Sequence, residues 1–195
     1  MSIGNIVDYF GNTEKLDDTG KETPVIRLDL ACGNAKREGF VGVDIIEQPH
    51  TQADIAFDLR KFPWPWSDNS VFEINCSHYI EHTPDIKRFM EEIYRILIPK
   101  GKIRFQAPYY TSIRAWQDFT HVRPISENTF LYFTQGWMKA NGLNHYGVMC
   151  NFGILWVKYH FNPEWNARSE RAKEWARLHQ VNVVDDIEIE LQKME

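Results

Sequence analysis

Val25-Ile26-Arg27-Leu28-Asp29-Leu30-Ala31 runs into Cys32-Gly33-Asn34, and a few residues later Gly39-Phe40-Val41-Gly42-Val43-Asp44-Ile45 ends on a carboxylate. Each is a short, mostly apolar run closed by a turn or an acid, the pattern of a buried strand. A strand ending in a glycine-containing turn, followed by a second strand ending in Asp, is a nucleotide-binding layout. Gly33 lets the backbone approach a ligand closely, and a carboxylate at the tip of the next strand takes both ribose hydroxyls. The dinucleotide form needs three glycines, a helix N-terminus aimed at pyrophosphate and an acid about 20 residues on. Here only Gly33 lies in the loop and Asp44 follows after 11 residues. A nucleoside cofactor without a diphosphate fits better.

The flanking segments extend the same fold. Val71 to Cys76 reads as a strand. A helix follows: Thr83 suits the N-cap, Pro84 the first helical position and Asp85 the dipole-favoured first turn. Ile86, Phe89, Met90, Ile93 and Leu97 then make one apolar stripe, and Pro99-Lys100-Gly101 stops it. Lys102 to Ala107 is a further strand with Ile103, Phe105 and Ala107 on one face and Lys102, Arg104 and Gln106 on the other. A polar face is unusual on a central parallel strand, and only about eight residues join the first strand to the second, where a crossover helix needs about ten to twelve. Both features predict a thinly covered layer. Met149 to Phe161 reads as one or two strands, Pro163 to His179 as a helix with Trp165, Ala172, Trp175, Ala176 and His179 on one face, and Asp186 to Leu191 as a short strand able to pair antiparallel. The expected fold is a single-domain α/β, Rossmann-like, mostly parallel sheet with helices on both faces and a shortened first crossover helix. Residues 1–24 form an N-terminal arm ahead of the domain of residues 25–195.

Composition bounds the rest. A chain of 195 residues fits one domain and buries about 70% of its unfolded surface, enough to fold without disulfides or a structural metal. The 7 Trp and 12 Phe suit a bulky core better than an apolar cleft. A net charge of -5 argues against broad nucleic-acid binding, which draws on clustered Lys and Arg. Cys32, Cys76 and Cys150 lack the paired spacing of a disulfide framework or zinc knuckle. No stretch approaches the roughly 20 apolar residues of a membrane span, and Met1 to Phe10 has no secretory pattern, so the cytoplasm is expected. A homodimer is left open.

Leu28-Asp29-Leu30-Ala31-Cys32-Gly33-Asn34 resembles the first motif of class I S-adenosylmethionine-dependent methyltransferases, and Gly42-Val43-Asp44-Ile45 their second-strand motif. Asp58-Leu59 resembles the third. Pro65 to Glu73, then Ser77-His78-Tyr79-Ile80-Glu81-His82, is similar to the fourth-strand region of the methyltransferase-11-like branch. The resemblance spans roughly residues 25 to 108, and glycines usual in the family are replaced by Ala31 and Ala35. It implies S-adenosylmethionine as cofactor, with Ala31, Cys32 and Gly33 along the methionine moiety and Asp29 supporting the loop indirectly. Asp44 would take the ribose, Asp58 with Leu59 the adenine, and Ser77 and His78 would lie near the sulfonium.

The family builds its acceptor pocket after the fifth strand, here about residues 108–147. His121 is the candidate base and Asp118 its orienting partner, for a small-molecule or sugar acceptor. Plainer roles stand beside these: Asp29 satisfying turn amides, Asp44 a strand-end cap, Asp58 capping a turn before Pro63, and His121 a structural loop residue. A metal site from His78 and His82, with His121 and Asp118, is not adopted, because nothing in the sequence shows that they converge. Rival readings are a non-catalytic binding or regulatory protein on the same fold and another nucleotide-binding Rossmann enzyme.

Overall fold

The computed structural model describes residues 14–16, 22–46 and 49–195. Of the expected N-terminal arm, β1 (Glu14–Leu16) and β2 (Glu22–Pro24) pair antiparallel; the rest, including Met1 to Phe10 and Asp17 to Gly20, lies outside the described residues. β3 (Ile26–Leu30), β4 (Val41–Asp44), β5 (Ile55–Ala56), β6 (Val71–Ser77), β7 (Leu97–Pro108), β8 (Phe152–Phe161) and β9 (Val184–Lys193) build one sheet in the order β5-β4-β3-β6-β7-β9-β8. β9 runs antiparallel to both its neighbours, while β3 pairs parallel with β4 and β6, β4 with β5, and β6 with β7. The strand order turns back between β3 and β6, which makes the crevice beyond their C-terminal ends the topological switch point.

Alternation along the strands separates two unlike faces. Leu28, Leu30, Ile74, Cys76, Ile103, Phe105, Ile187 and Ile189 point into one continuous core. Against it lies helix α1 (Ile86–Ile96), whose Phe89, Met90, Ile93 and Ile96 are fully buried, each stabilising by about 1.5–3 kcal/mol. Trp64 and Trp66 close the same layer. Trp64 meets Phe89 edge to face, its amide donates to Glu92, and Arg95 holds the carbonyls of both tryptophans. The aromatic richness is thus largely core.

The opposite face is charged. Arg27 pairs with Glu73 at 3.4 Å, Lys102 with Glu190 at 3.3 Å, and Glu188 takes both Arg104 and His160. The cations of these pairs stay partly open to water, so each pair contributes only about 0–1 kcal/mol. The helices expected on both faces are therefore unevenly distributed. The first crossover, between Leu30 and Val41, is shortened completely: it consists of turns, because so few residues cannot wind a helix and return. The polar face read from Lys102, Arg104 and Gln106 is the consequence.

Two helix boundaries differ from expectation. The N-cap of α1 is Asp85, which accepts from the Arg88 amide at 3.0 Å, rather than Thr83. Thr83 instead closes the 3-10 turn Ile80–His82, and Arg123 binds the Thr83 and Pro84 carbonyls from across the fold. Pro163 to His179 is two helices, α4 (Pro163–Asn166) and α5 (Glu170–His179). Ala176 of α5 enters the core, whereas Trp175 faces outward, 54% exposed and stacked on His179. The remaining helices, α2 (Arg114–Gln117) and α3 (Gln135–Ala140), lie in the long segment between β7 and β8. No helix among the described residues is long and apolar enough to cross a membrane.

Candidate active site

Both strands at the switch point end in a strained backbone. Ala31, after β3, and His78, after β6, each stand at φ +54, a left-handed conformation that a non-glycine residue adopts only when its surroundings enforce it. Between Ala31 and β4 the chain turns through Gly33 at φ +50, where an added Cβ would meet nothing within 4 Å. That cradle is open for a ligand to lie along.

Carboxylates hold the cradle in shape. Asp29, 2% exposed, accepts from the Arg37 amide at 2.7 Å and from Asn75 at 2.6 Å, so it ties the returning crossover to β6. Asp44, at the tip of β4, accepts from the Gly33 amide at 2.9 Å and the Ile45 amide at 2.7 Å. Oδ1 also accepts from the Ile46 amide at 3.5 Å, and Oδ2 keeps a further lone pair for a hydroxyl donor. Asp58 is gripped by the Arg60 guanidinium at 2.8 and 3.0 Å, which holds its carboxyl below the ordinary range. It also caps its own turn through the Arg60 amide, the plainer role considered for it, while Leu59 is buried behind it. Cys32 stays a neutral thiol: burial, then Asp29, Asp44 and Asp54, push it up to about 11. All three cysteines are free and buried.

At the other lip of the crevice, Ser77 ends β6 opposite Gln106, and His78 sits between Glu81 at 3.5 Å and Asp186 at 3.7 Å. The nearby Glu81 carboxylate raises His78 above the ordinary imidazole range, with Asp186 adding to it and burial opposing it. Thus Gly33 and Asp44 meet directly, Ser77 and His78 close the neighbouring strand, and Asp58 stands beyond β5.

Asp118 does not orient His121 through a hydrogen bond. Their closest approach, Nε2 to Oδ2, is 3.9 Å, too long for a hydrogen bond. His121 Nδ1 instead donates to the Ala115 carbonyl at 3.1 Å, and Asp118 accepts from the Thr120 amide and hydroxyl. His121 packs edge to face on His82 with centroids 4.7 Å apart, beside Glu81.

Sequence reasoning gave no role to Glu81 or Asp54. Glu81 lies inside a quoted motif, and its signal was an acid set among apolar neighbours before His82. Asp54 accepts from the Gly42 amide at 2.7 Å and from Lys36 at 2.9 Å, so it fastens the crossover to β4; nothing in its sequence context marks it. A separate cleft of about 540 Å3 opens among Ile86, Lys87, Arg123, Tyr132, Phe133 and Tyr146. None of the expected cofactor residues lines it.

Residues 28–105 match the methyltransferase domain family. Among solved structures, an S-adenosylmethionine-dependent methyltransferase from Archaeoglobus fulgidus superposes with TM-score 0.57 at 21% identity, covering 87% of this chain and 86% of that one. One from Mesorhizobium loti gives 0.52 at 16%, covering 87% and 91%. A geranyl diphosphate methyltransferase in complex with SAM gives 0.54 at 12%, covering 87% and 78%. No curated protein matches the sequence.

Proposed function

We propose that the chain, whose residues 28–105 match the methyltransferase domain family, is a class I S-adenosylmethionine-dependent methyltransferase that methylates a small-molecule or sugar acceptor held by residues 108–147 of a single domain spanning residues 25–195. S-adenosylmethionine is the cofactor of this family, and the residues present fit it. The Gly33 cradle is open, and Asp44 retains acceptor capacity at the strand tip where a ribose binds. The observation that carries the reading is the 2.9 Å bond from the Gly33 amide to Asp44 at the switch point, which fixes loop and carboxylate as one unit.

When bound, the cofactor supplies an electrophilic methyl group on a sulfonium. The protein's task is then mainly alignment of an acceptor. Ala31, Cys32 and Gly33 would flank the methionine moiety with backbone, Asp44 would accept both ribose hydroxyls, and Asp58 with the Leu59 amide would hold the adenine. Arg60 occupies part of the Asp58 carboxylate, so the adenine amino group would share it. Ser77 and His78 border the sulfonium end. Proton handling for a hydroxyl acceptor falls to the group of Glu81, His82 and His121, because His121 with Nδ1–H on Ala115 keeps Nε2 as its lone pair. A small acceptor is favoured by the acidic chain, whose net charge of -5 argues against a nucleic-acid acceptor.

Calorimetric titration with S-adenosylmethionine and S-adenosylhomocysteine tests the reading, with Asp44→Ala and Asp44→Asn alongside. Micromolar binding, lost in Asp44→Ala and weakened in Asp44→Asn while both variants stay folded, is expected. Absence of binding to either ligand would overturn the enzymatic reading in favour of a non-catalytic protein on this fold.

A further inference from the structure

Glu81 is 2% exposed, and neither of its carboxylate oxygens has a hydrogen-bond partner. A buried carboxylate in that condition is costly unless a cation or a proton compensates it. Its closest basic neighbour, His78 Nδ1, is 3.5 Å away, beyond the usual length of an N–H···O bond.

The rings on its other side offer lone pairs rather than protons. His121 Nδ1 faces the Ala115 carbonyl at 3.1 Å, and a carbonyl only accepts, so that nitrogen carries the hydrogen. The same reasoning applies to His82. Thr120 Oγ1 spends its proton on Asp118 at 2.6 Å, so toward His82 Nδ1 at 3.0 Å it accepts, as does the Thr120 carbonyl at 3.3 Å. In the neutral form of each ring the lone pair is then on Nε2. Backbone acceptors that fix the Nδ1–H of a histidine in this way are what orients metal-ligating imidazoles.

Glu81, His82 and His121 each contribute one ligand atom to a group in which all three lie within 4.8 Å of one another. With Nδ1 of each ring held by a backbone or hydroxyl acceptor, Nε2 is the nitrogen that each neutral ring can offer to a cation alongside the Glu81 carboxylate. We propose that Glu81, His82 and His121 form a binding site for a divalent transition-metal ion of the zinc class. Two imidazoles and one carboxylate are a common donor set for such ions, and three protein ligands leave a tetrahedral ion one position for water or an acceptor hydroxyl. The reach is small. A point equidistant from three atoms 4.8 Å apart lies about 2.8 Å from each, and bonds of about 2.0–2.2 Å need side-chain movements of under about 1 Å. The two segments that carry the ligands are already fastened by the Val122 amide on the Glu81 carbonyl at 2.9 Å and by Arg123 on the Thr83 and Pro84 carbonyls.

The site deepens the methyltransferase reading, because a metal-held hydroxyl loses its proton more readily than a free one, but metal binding itself does not depend on that reading. The full chain, stripped with a chelator, would be titrated with Zn2+ alone by calorimetry and with Co2+ by visible absorption. One equivalent of Zn2+ binding at micromolar affinity or tighter is expected, with a tetrahedral Co2+ band that Zn2+ displaces. Glu81→Gln, near isosteric, is expected to fold and to weaken Zn2+ at least tenfold, as is His82→Gln. The stripped Glu81→Gln protein is expected to melt no lower than stripped wild type, because it loses a buried charge that no hydrogen bond satisfies. Failure of folded wild type to bind Zn2+, or binding that both substitutions leave unchanged, would overturn the site. S-adenosylmethionine is titrated into the same stripped samples. Its binding without Zn2+ binding sinks only the metal site, whereas Zn2+ binding without it sinks only the methyltransferase reading.

Discussion

At Ala31 the backbone holds φ +54 where the family usually has glycine, a conformation costing an L-residue about 1–2 kcal/mol. Glycine loses about 0.5–1 kcal/mol more conformational freedom on folding, so Ala31→Gly should be slightly stabilising, by about 0.5 kcal/mol. A denaturant midpoint that falls would mean that the Ala31 methyl contributes packing outweighing the strain. Gly42 is the opposite case. A Cβ there would sit 2.7 Å from Lys36 Cδ, 2.9 Å from Cys32 Sγ and 3.1 Å from the Gln52 carbonyl, so Gly42→Ala should cost about 1–3 kcal/mol with an unchanged denaturant slope. An unchanged midpoint would show that the crossover yields without penalty. The turn at Gly33 was legible because strand, turn and acid follow one another in sequence. The need for Gly42 was not, since the atoms that crowd it come from two loops that meet only in the fold.

Helix α1 shows where reading a sequence locally stops. Its apolar stripe was visible in the spacing of Ile86, Phe89, Met90 and Ile93, but its start moved by two residues because Arg123, 40 positions from Thr83, takes the carbonyl there. Asp85→Ala should therefore cost about 1 kcal/mol in thermal or chemical unfolding; an effect within error would return the cap to Thr83. Similarly, the outward Trp175 shares a helical stripe with the buried Ala176, and periodicity alone could not say which of them faced the core. Further along α1, burial works to raise Glu92, but Arg95 and the Trp64 amide outweigh it and bring the carboxyl below its ordinary range. A depressed folded-state pKa stabilises above the unfolded value of about 4.3 and loses that contribution as pH falls through the folded one. Melting temperature measured from pH 7 down to about 3 should thus fall less steeply in Glu92→Gln than in wild type. Parallel curves would mean that the clasp on Trp64 and Trp66 does not depend on this charge.

Across the whole molecule the sheet is unequal: an apolar core face packed by α1 and reached by α5 through Ala176, and a charged face over which the first crossover passes as turns. The polar side chains at alternate positions of β7 announced that asymmetry, because a strand buried on both sides would read as continuously apolar. What the sequence did not announce was the Glu81–His82–His121 group, whose members approach only when the segment after β7 folds back onto the turn after β6. The asymmetry also sets where the protein should be locally unstable. Backbone bonds of the crossover are few: Cys32 to Val43, Ala35 to Cys32, Phe40 to Arg37, and Gln52 back to Gly33. Amides with so little support open at low free energy, whereas those of β3, β6 and β7, paired on both sides, open only with the fold. A ligand present at 100 times its dissociation constant adds about 2.7 kcal/mol to the bound form, and that gain appears as slowed exchange wherever opening breaks the site. Hydrogen exchange with saturating S-adenosylhomocysteine should therefore slow most at residues 31–40 and 44–46, and leave the already slow amides of β6 and β7 little changed. Protection concentrated instead along the cleft at Tyr132 and Tyr146 would place the nucleoside away from the Gly33 turn and remove Gly33 and Asp44 from the cofactor site.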